Sequence, residues 1–180
     1  MSHPKKNTAE KNFNLKIEIL DSSMLDNIPS EKSIKKWISE SFQFINSENK
    51  PKNNKMELSL KTVSSDEIKK LNKQYRGKDK KTNVLSFPSK SKDSIYWPES
   101  TRYHLGDIVI CPEIIELEAK RQKKEINSHW CHIVIHGFLH LFGFDHVSDS
   151  GAKEMELLEK KICIYLGFND PYLQNLLDKH

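Results

Sequence analysis

From Ser128 to His146 the chain reads SHWCHIVIHGFLHLFGFDH. As far as Phe142, large apolar residues fall on nearly every side of a helical wheel. That pattern predicts a central helix buried nearly all round rather than an amphipathic surface helix. Histidines 129, 132, 136, 140 and 146 nevertheless sit among them. A buried polar ring needs a hydrogen-bonding or coordinating partner, so what the imidazoles bind decides what this helix is for.

The flanking sequence supplies elements to cover such a helix. Leu15, Ile17 and Ile19 alternate with Lys16 and Glu18, and Met56, Leu58, Leu60 and Thr62 alternate in the same way; both stretches read as strands. Asn83–Phe87, closed by Pro88, and Leu105–Ile110 read as two more. Ile34, Trp37, Ile38 and Phe42 recur at helical spacing behind a Ser30 cap. Ser64-Ser65-Asp66-Glu67 resembles a capping box and opens a short helix through Asn72, before the Gly77 turn. Pro112 suits the first turn of another helix. Asp149 or Ser150 is expected to cap a last one, with Met155, Leu158, Ile162 and Leu166 as its apolar face and Gly167 as its stop. About four strands mixed with about five helices favour an α+β, or mixed α/β, architecture: a single domain with a small central sheet packed by helices and the histidines on a long buried helix. The domain is expected to span residues 13–176, after a polar, disordered start from Met1 to Asn12. Asn46–Lys55 reads as a loop, and so does Ser89–His104, whose length suggests mobility or function.

A chain of 180 residues is long enough for one real core. Its formal charge of +4 is a small excess, so the placement of charge matters more than its amount. The three cysteines, Cys111, Cys131 and Cys163, form no C-x-x-C pair and each lies in or beside an apolar run. They are expected to be reduced, buried thiols in a reducing compartment. The opening MSHPKKNTAEKN has no apolar signal-peptide core, and no apolar run is long enough to span a bilayer. A soluble, cytoplasmic protein is expected.

His136 and His140 are four apart, which places them on one helix face a turn apart, the spacing by which two imidazoles reach one metal ion. Gly143 offers a helix exit, and the chain can turn back there to bring His146 to the same ion. H-x-x-x-H-x-x-G-x-x-H thus supplies three neutral nitrogen ligands and leaves a fourth position for water, as in catalytic zinc sites. The alternative is a set of core histidines satisfied by hydrogen bonds. His132 is a competing candidate, but His132 and His140 would lie about 12 Å apart along the axis. Three residues over that span cannot share one ion, so His132 and His129 are expected to pack or to support the ligands. Asp145 can orient a ligand imidazole or cap local backbone. Gly137 stands where zinc peptidases with this spacing carry a glutamate as general base; without that carboxylate the peptidase mechanism lacks its base.

A second feature is KKLNKQYRGKDKK, Lys69 to Lys81, where seven of 13 residues are Lys or Arg. Tyr75 sits beside Arg76. Cations with an interleaved aromatic suit single-stranded nucleic acid, phosphate on the charges and a base on the ring. Arg76 is singled out because its planar fork can grip a phosphate bidentately. A solvated helix face is the alternative, as it is for Lys120–Lys124, where cations at a helix end favour the dipole. Asp107 lies inside a strand that should be buried and would then need a partner. Trp37 and Trp130 read as core; Trp97, in the long loop, as a surface anchor or a lid residue.

LNKQYRGKDKKTNVLSFP (71–88), LGDIVI (105–110) and HGFLHLFGFDH (136–146) resemble, in order, signature segments of the bacterial YbeY family, and the tail YLGFNDPY fits as well. The resemblance covers roughly Leu71 to Tyr172 and is weak or absent before Glu57. It implies a metal-dependent, single-strand-specific endoribonuclease acting on ribosomal RNA, in maturation of the small-subunit 3′ end and in ribosome quality control. It implies one zinc ion on His136, His140 and His146, and a role in activity for Arg76. Implied partners are single-stranded RNA, rRNA, and the small ribosomal subunit or its assembly factors, with no membrane. A zinc-activated water or the ribose 2′-hydroxyl can be the nucleophile; both routes stay open. So do a non-catalytic assembly factor with a structural metal, and another zinc hydrolase.

Overall fold

The computed structural model describes residues 14–20, 28–46, 55–89 and 102–173. The start from Met1 to Asn12, Trp97 and most of the two loops expected above lie outside the described residues.

Alternation along β1 (Asn14–Leu20) and β2 (Lys55–Thr62) turns Ile17, Met56, Leu58 and Leu60 into the core. β3 (Val84–Pro88) and β4 (Tyr103–Ile110) complete one four-stranded sheet in the order β1-β2-β4-β3. β1, β2 and β4 run parallel, and β3 pairs antiparallel with β4 at an edge. Parallel neighbours need crossovers. The first carries α1 (Glu31–Ser41) and a 3-10 turn (Phe42–Phe44); the second carries α2 (Ser65–Arg76) and β3 itself. Three helices follow β4: α3 (Pro112–Arg121), α4 (Ile126–Leu141) and α5 (Asp149–Tyr165).

The main core lies between one face of the sheet and α4, with α1 and α5 against it. Trp37, Trp130, Phe138 and Ile108 all belong to it. On the other face a smaller cluster, Val63, Ile68, Leu85, Val109 and Cys111, is covered by α2. All three cysteines are free and buried. No helix among the described residues is long and apolar enough to cross a membrane.

Ser30 and Ser64 cap α1 and α2 as expected, accepting from the backbone N–H of Ser33 at 3.2 Å and of Glu67 at 3.3 Å. Three expectations are corrected. α2 does not stop at Asn72 but runs another turn to Arg76: nothing before Gly77 breaks it, and Lys73 and Arg76 favour the negative end of its dipole. The cap of α5 is Ser148, whose Oγ accepts from Gly151 N at 3.1 Å, rather than Asp149 or Ser150. Asp107 is exposed and pairs with His104 at 3.3 Å. It shares a sheet face with Val109, but α2 covers only the Val109 end of that face.

α4 lies close against the sheet at Gly137. A Cβ there would meet Ile108 Cγ2 at 2.9 Å and Ser86 Oγ and Val84 Cγ2 at 3.2 Å, and Ser86 Oγ donates to the Gly137 carbonyl at 2.9 Å. Gly137→Ala gains about 1 kcal/mol of helix propensity and loses about 1–3 kcal/mol to overpacking. Because Ile108 is fully buried and cannot swing aside, the clash outweighs the gain. Urea unfolding should show a net loss of up to about 2 kcal/mol; a variant as stable as the parent would mean that α4 does not sit this close to β3 and β4.

Candidate metal centre

α4 presents His129, His132, His136 and His140 on one side, at steps of three or four residues. After Leu141 the helix closes by a bond from Phe144 N to Leu139 O at 3.3 Å, with Gly143 at φ 87°, the backbone of a Schellman turn. Phe142 and Phe144 are buried and fix the turn to the core. Asp145 Oδ1 then accepts from Val147 N at 2.8 Å, so of its two candidate roles the structure shows the local backbone cap. This turn brings His146 back over α4.

One ring nitrogen from each of His136, His140 and His146 lies within 4.8 Å of the others, a group that could hold a metal ion. His136 Nε2 and His140 Nε2 are 3.1 Å apart. Zinc–nitrogen bonds of about 2.0–2.1 Å at tetrahedral angles place ligand nitrogens about 3.3 Å apart, so the pair fits one ion. His136 and His140 are half-buried and His146 is exposed, which leaves the site open to solvent on its His146 side. Burial, then the nearby His136, His146 and Arg76 charges, push the His140 imidazole down to about 4 against a hydrogen bond to the Phe144 backbone. At neutral pH this ring is therefore neutral and has a lone pair for a metal.

Behind the triad lies a carboxylate that the sequence reading missed. Glu159 of α5 is 1% exposed, the sole buried acidic residue among the described residues. Its Oε1 is 2.7 Å from His136 Nδ1; its Oε2 is 3.1 Å from His132 Nε2 and accepts from the Tyr172 hydroxyl. Burial pushes the Glu159 carboxyl up, but the hydrogen bonds and charges of His132 and His136 more than reverse this and bring it down to about 2. An ionised carboxylate only accepts, so His136 Nδ1 donates to it, and Nε2 is the ring nitrogen left facing His140. A signal was present in the sequence: Glu159 falls four residues after Met155 and three before Ile162, within the apolar stripe of α5, where a charge needs a partner.

His129, expected to pack or support, does so elsewhere. Its Nε2 meets Glu118 at 2.9 Å, and Asn83 Nδ2 donates to the same carboxylate oxygen at 2.9 Å. Arg76 lies on the last turn of α2, exposed, and its Nη2 donates to the Ser86 carbonyl at 3.2 Å. Through β3 it stands beside α4, near enough for its charge to act on His140. Asn72 Nδ2 donates to the Lys80 carbonyl at 2.8 Å and anchors the basic loop after α2. Lys69 and Lys73 share Asp79, while Lys70, Lys78 and Lys80 are exposed.

The model of the family described as endoribonuclease YbeY matches residues 5–167. The chain belongs to the YbeY family. The match starts far upstream of Glu57, where the motif resemblance faded, so the α1 and β1 region also carries the family pattern. Among solved structures, the solution structure of TM1509 from Thermotoga maritima is 30% identical, with a TM-score of 0.49, and the alignment covers 82% of this chain and 86% of that one. The family is one of endoribonucleases, and the placement of its motifs is now plain: LNKQYRGKDKKTNVLSFP forms the second half of α2, the basic loop and β3, LGDIVI forms most of β4, and HGFLHLFGFDH ends α4 and carries the turn to His146.

Zinc titrated into metal-free protein should stabilise it by about 2.7 kcal/mol once free zinc stands 100-fold above its Kd. Thermal unfolding with and without zinc reads this directly. His140→Ala should lose the shift, whereas a shift retained in that variant would place the ion elsewhere.

Proposed function

We propose that residues 13–176 form a zinc-dependent, single-strand-specific endoribonuclease domain that acts in the cytoplasm on ribosomal RNA, in maturation of the small-subunit 3′ end and in ribosome quality control. Its ion is held by His136, His140 and His146, its phosphate by Arg76, and its partners are the small ribosomal subunit or its assembly factors. Membership of an endoribonuclease family supports the reaction class. The observation that carries the reading is local: three imidazole nitrogens lie within 4.8 Å of one another, and the Arg76 charge acts on one of them, His140.

When bound, the ion would supply Lewis acidity for phosphodiester cleavage. The chain's own residues do the rest. Glu159 keeps the His136 proton on Nδ1. The Arg76 fork has five N–H donors and gives the Ser86 carbonyl only Nη2, so others remain to grip a phosphate and offset charge that develops on it. Tyr75 is 59% exposed and is braced edge-on by Phe87 at 5.1 Å, which suits it to stack on an unpaired base. The exposed lysines that follow it draw the backbone in. Gly137 is tight against the sheet, so the position that carries the base in zinc peptidases has no room for a side chain, and peptide hydrolysis is not expected.

The deciding experiment is cleavage of a defined single-stranded RNA by metal-stripped protein, before and after zinc is restored, with His140→Ala as the control for contaminating nuclease. Zinc should restore cleavage in the parent only. Arg76→Ala should lower turnover by about 100-fold and leave zinc binding unchanged. Tyr75→Ala should weaken RNA binding by about 1–3 kcal/mol. A zinc-loaded protein that binds the RNA and never cuts it would instead be a non-catalytic assembly factor, its histidines a structural clamp.

A further inference from the structure

We propose that Glu159 is a positioning residue for the metal ligand His136, and that Tyr172 and His132 hold its carboxylate in place for that task. The inference rests on the proposed metal site and extends it to α5 and the segment that follows.

The two carboxylate oxygens are used differently. Oε2 takes two donors, the Tyr172 hydroxyl and His132 Nε2 at 3.1 Å. Among the described residues, Oε1 is given to His136 Nδ1 alone, at 2.7 Å. One oxygen is thus an anchor, fixed from two sides, and the other is aimed at the ligand. The anchor draws on separate parts of the chain: His132 lies one turn before His136 on α4, and Tyr172 lies beyond α5, where its backbone N–H is held by Asp170 Oδ1 at 2.9 Å. Asp170 in turn pairs with Lys160, the residue next to Glu159, at 2.6 Å. The segment after α5 is therefore tied to the helix at the carboxylate and at the residue that follows it.

Such an arrangement has three physical effects on a ligand imidazole. It fixes the tautomer, because an ionised carboxylate accepts only a proton on Nδ1. It fixes the ring plane, because a charge-assisted bond of this length tolerates little rotation. It raises the basicity of Nε2, which strengthens the bond to a cation. Simple helix-to-helix packing would need none of these: an uncharged side chain would fill the same space at a smaller desolvation cost.

Zinc affinity, measured by competition with a chromophoric chelator, separates the two roles. Glu159→Gln keeps the shape and removes the charge, and should weaken zinc binding about 10–100-fold. Tyr172→Phe frees one donor from the anchor and should weaken it less. Glu156→Gln, which removes an exposed charge from the same helix, should leave affinity unchanged. In the Co2+-substituted protein, Glu159→Gln should also alter the d–d absorption bands, because the His136 ring reorients. Glu159→Gln that lowers the unfolding temperature but leaves zinc affinity and the Co2+ spectrum intact would reduce Glu159 to packing and overturn the proposal. So would an equal loss in Glu156→Gln, which would mark a general charge effect. A second measurement needs no variant: long-range 1H–15N spectra of the zinc-loaded parent should show His136 protonated at Nδ1, and protonation at Nε2 would overturn the assignment. Failure of the proposed metal site looks different, because the unmodified protein would then bind no zinc in the competition assay.

Discussion

The constraint behind this structure is that its most buried helix carries a stripe of imidazoles. α4 lies between the sheet and its neighbouring helices, so each ring on that stripe must be answered by a partner from another element. α3 answers His129 with Glu118. α5 answers His132 and His136 together with Glu159. Among the described residues His140 receives no carboxylate; its neighbours are His136, His146 and the charge of Arg76. Acidic partners thus stop one turn short of the helix end, and there the imidazoles are left facing one another. His129 and His132 spend their Nε2 on carboxylates, whereas His136 gives only Nδ1 to one and keeps Nε2 for the side where His140 and His146 gather. The same stripe therefore changes from structural to metal-competent along its length, and the partner elements set the point of change.

That stripe explains what could be read from the sequence. The i, i+4 pair, the glycine and the returning histidine form a local pattern, and local patterns survive folding: the turn at Gly143 and the convergence of His136, His140 and His146 follow from spacing alone. Strand alternation and the serine caps of α1 and α2 were legible for the same reason. Glu159 was not found, although it is the group on which two of the histidines depend. Its partners are 23 and 27 residues away on another helix, and spacing within one element says nothing about them. Only its position inside an apolar stripe marked it. Asp107 failed in the opposite sense. An apolar strand suggested burial on both faces, but how much of the second face is covered depends on where α2 comes to rest, and α2 leaves that end open. The cap of α5 was misplaced by one or two residues for a smaller reason: Ser148, Asp149 and Ser150 can all cap, and the close approach of Gly151 to the Asp145 carbonyl, where a Cβ would stand at 2.7 Å, fixes the start of the helix.

Gly137 shows how one position can exclude a chemistry and hold a fold at once. The spacing of the histidines allows a peptidase, and the glycine reads first as a missing base. In the structure it is also where α4 touches β3 and β4, with Ile108, Ser86 and Val84 around the space a side chain would need. A glutamate there would be directed into the sheet rather than toward substrate. The missing carboxylate and the tight contact are one fact, and the helix could recover a peptidase-like base only by moving away from the sheet that orients its histidines.

Ser86 carries the last step of this logic. Its hydroxyl donates to the carbonyl of Gly137 on α4, and its own carbonyl accepts from Arg76 at the end of α2. The basic helix and the histidine helix are far apart in sequence and lie against different faces of the sheet, so nothing local sets their separation. A single residue of the edge strand sets it for both. Because β3 is pinned to β4 by antiparallel pairing from Val84 to Pro88, the residue to which both helices are tied is held by the sheet and not by loops. For a reaction in which a phosphate must touch both a cationic fork and an ion, rigid spacing of that kind contributes more than any single contact, since misplacement by about 1 Å can cost about 100-fold in rate. It also gives a structural reason for a signature segment that runs without interruption from the basic helix through β3: the motif encodes the end of that helix, the loop and the strand that places them.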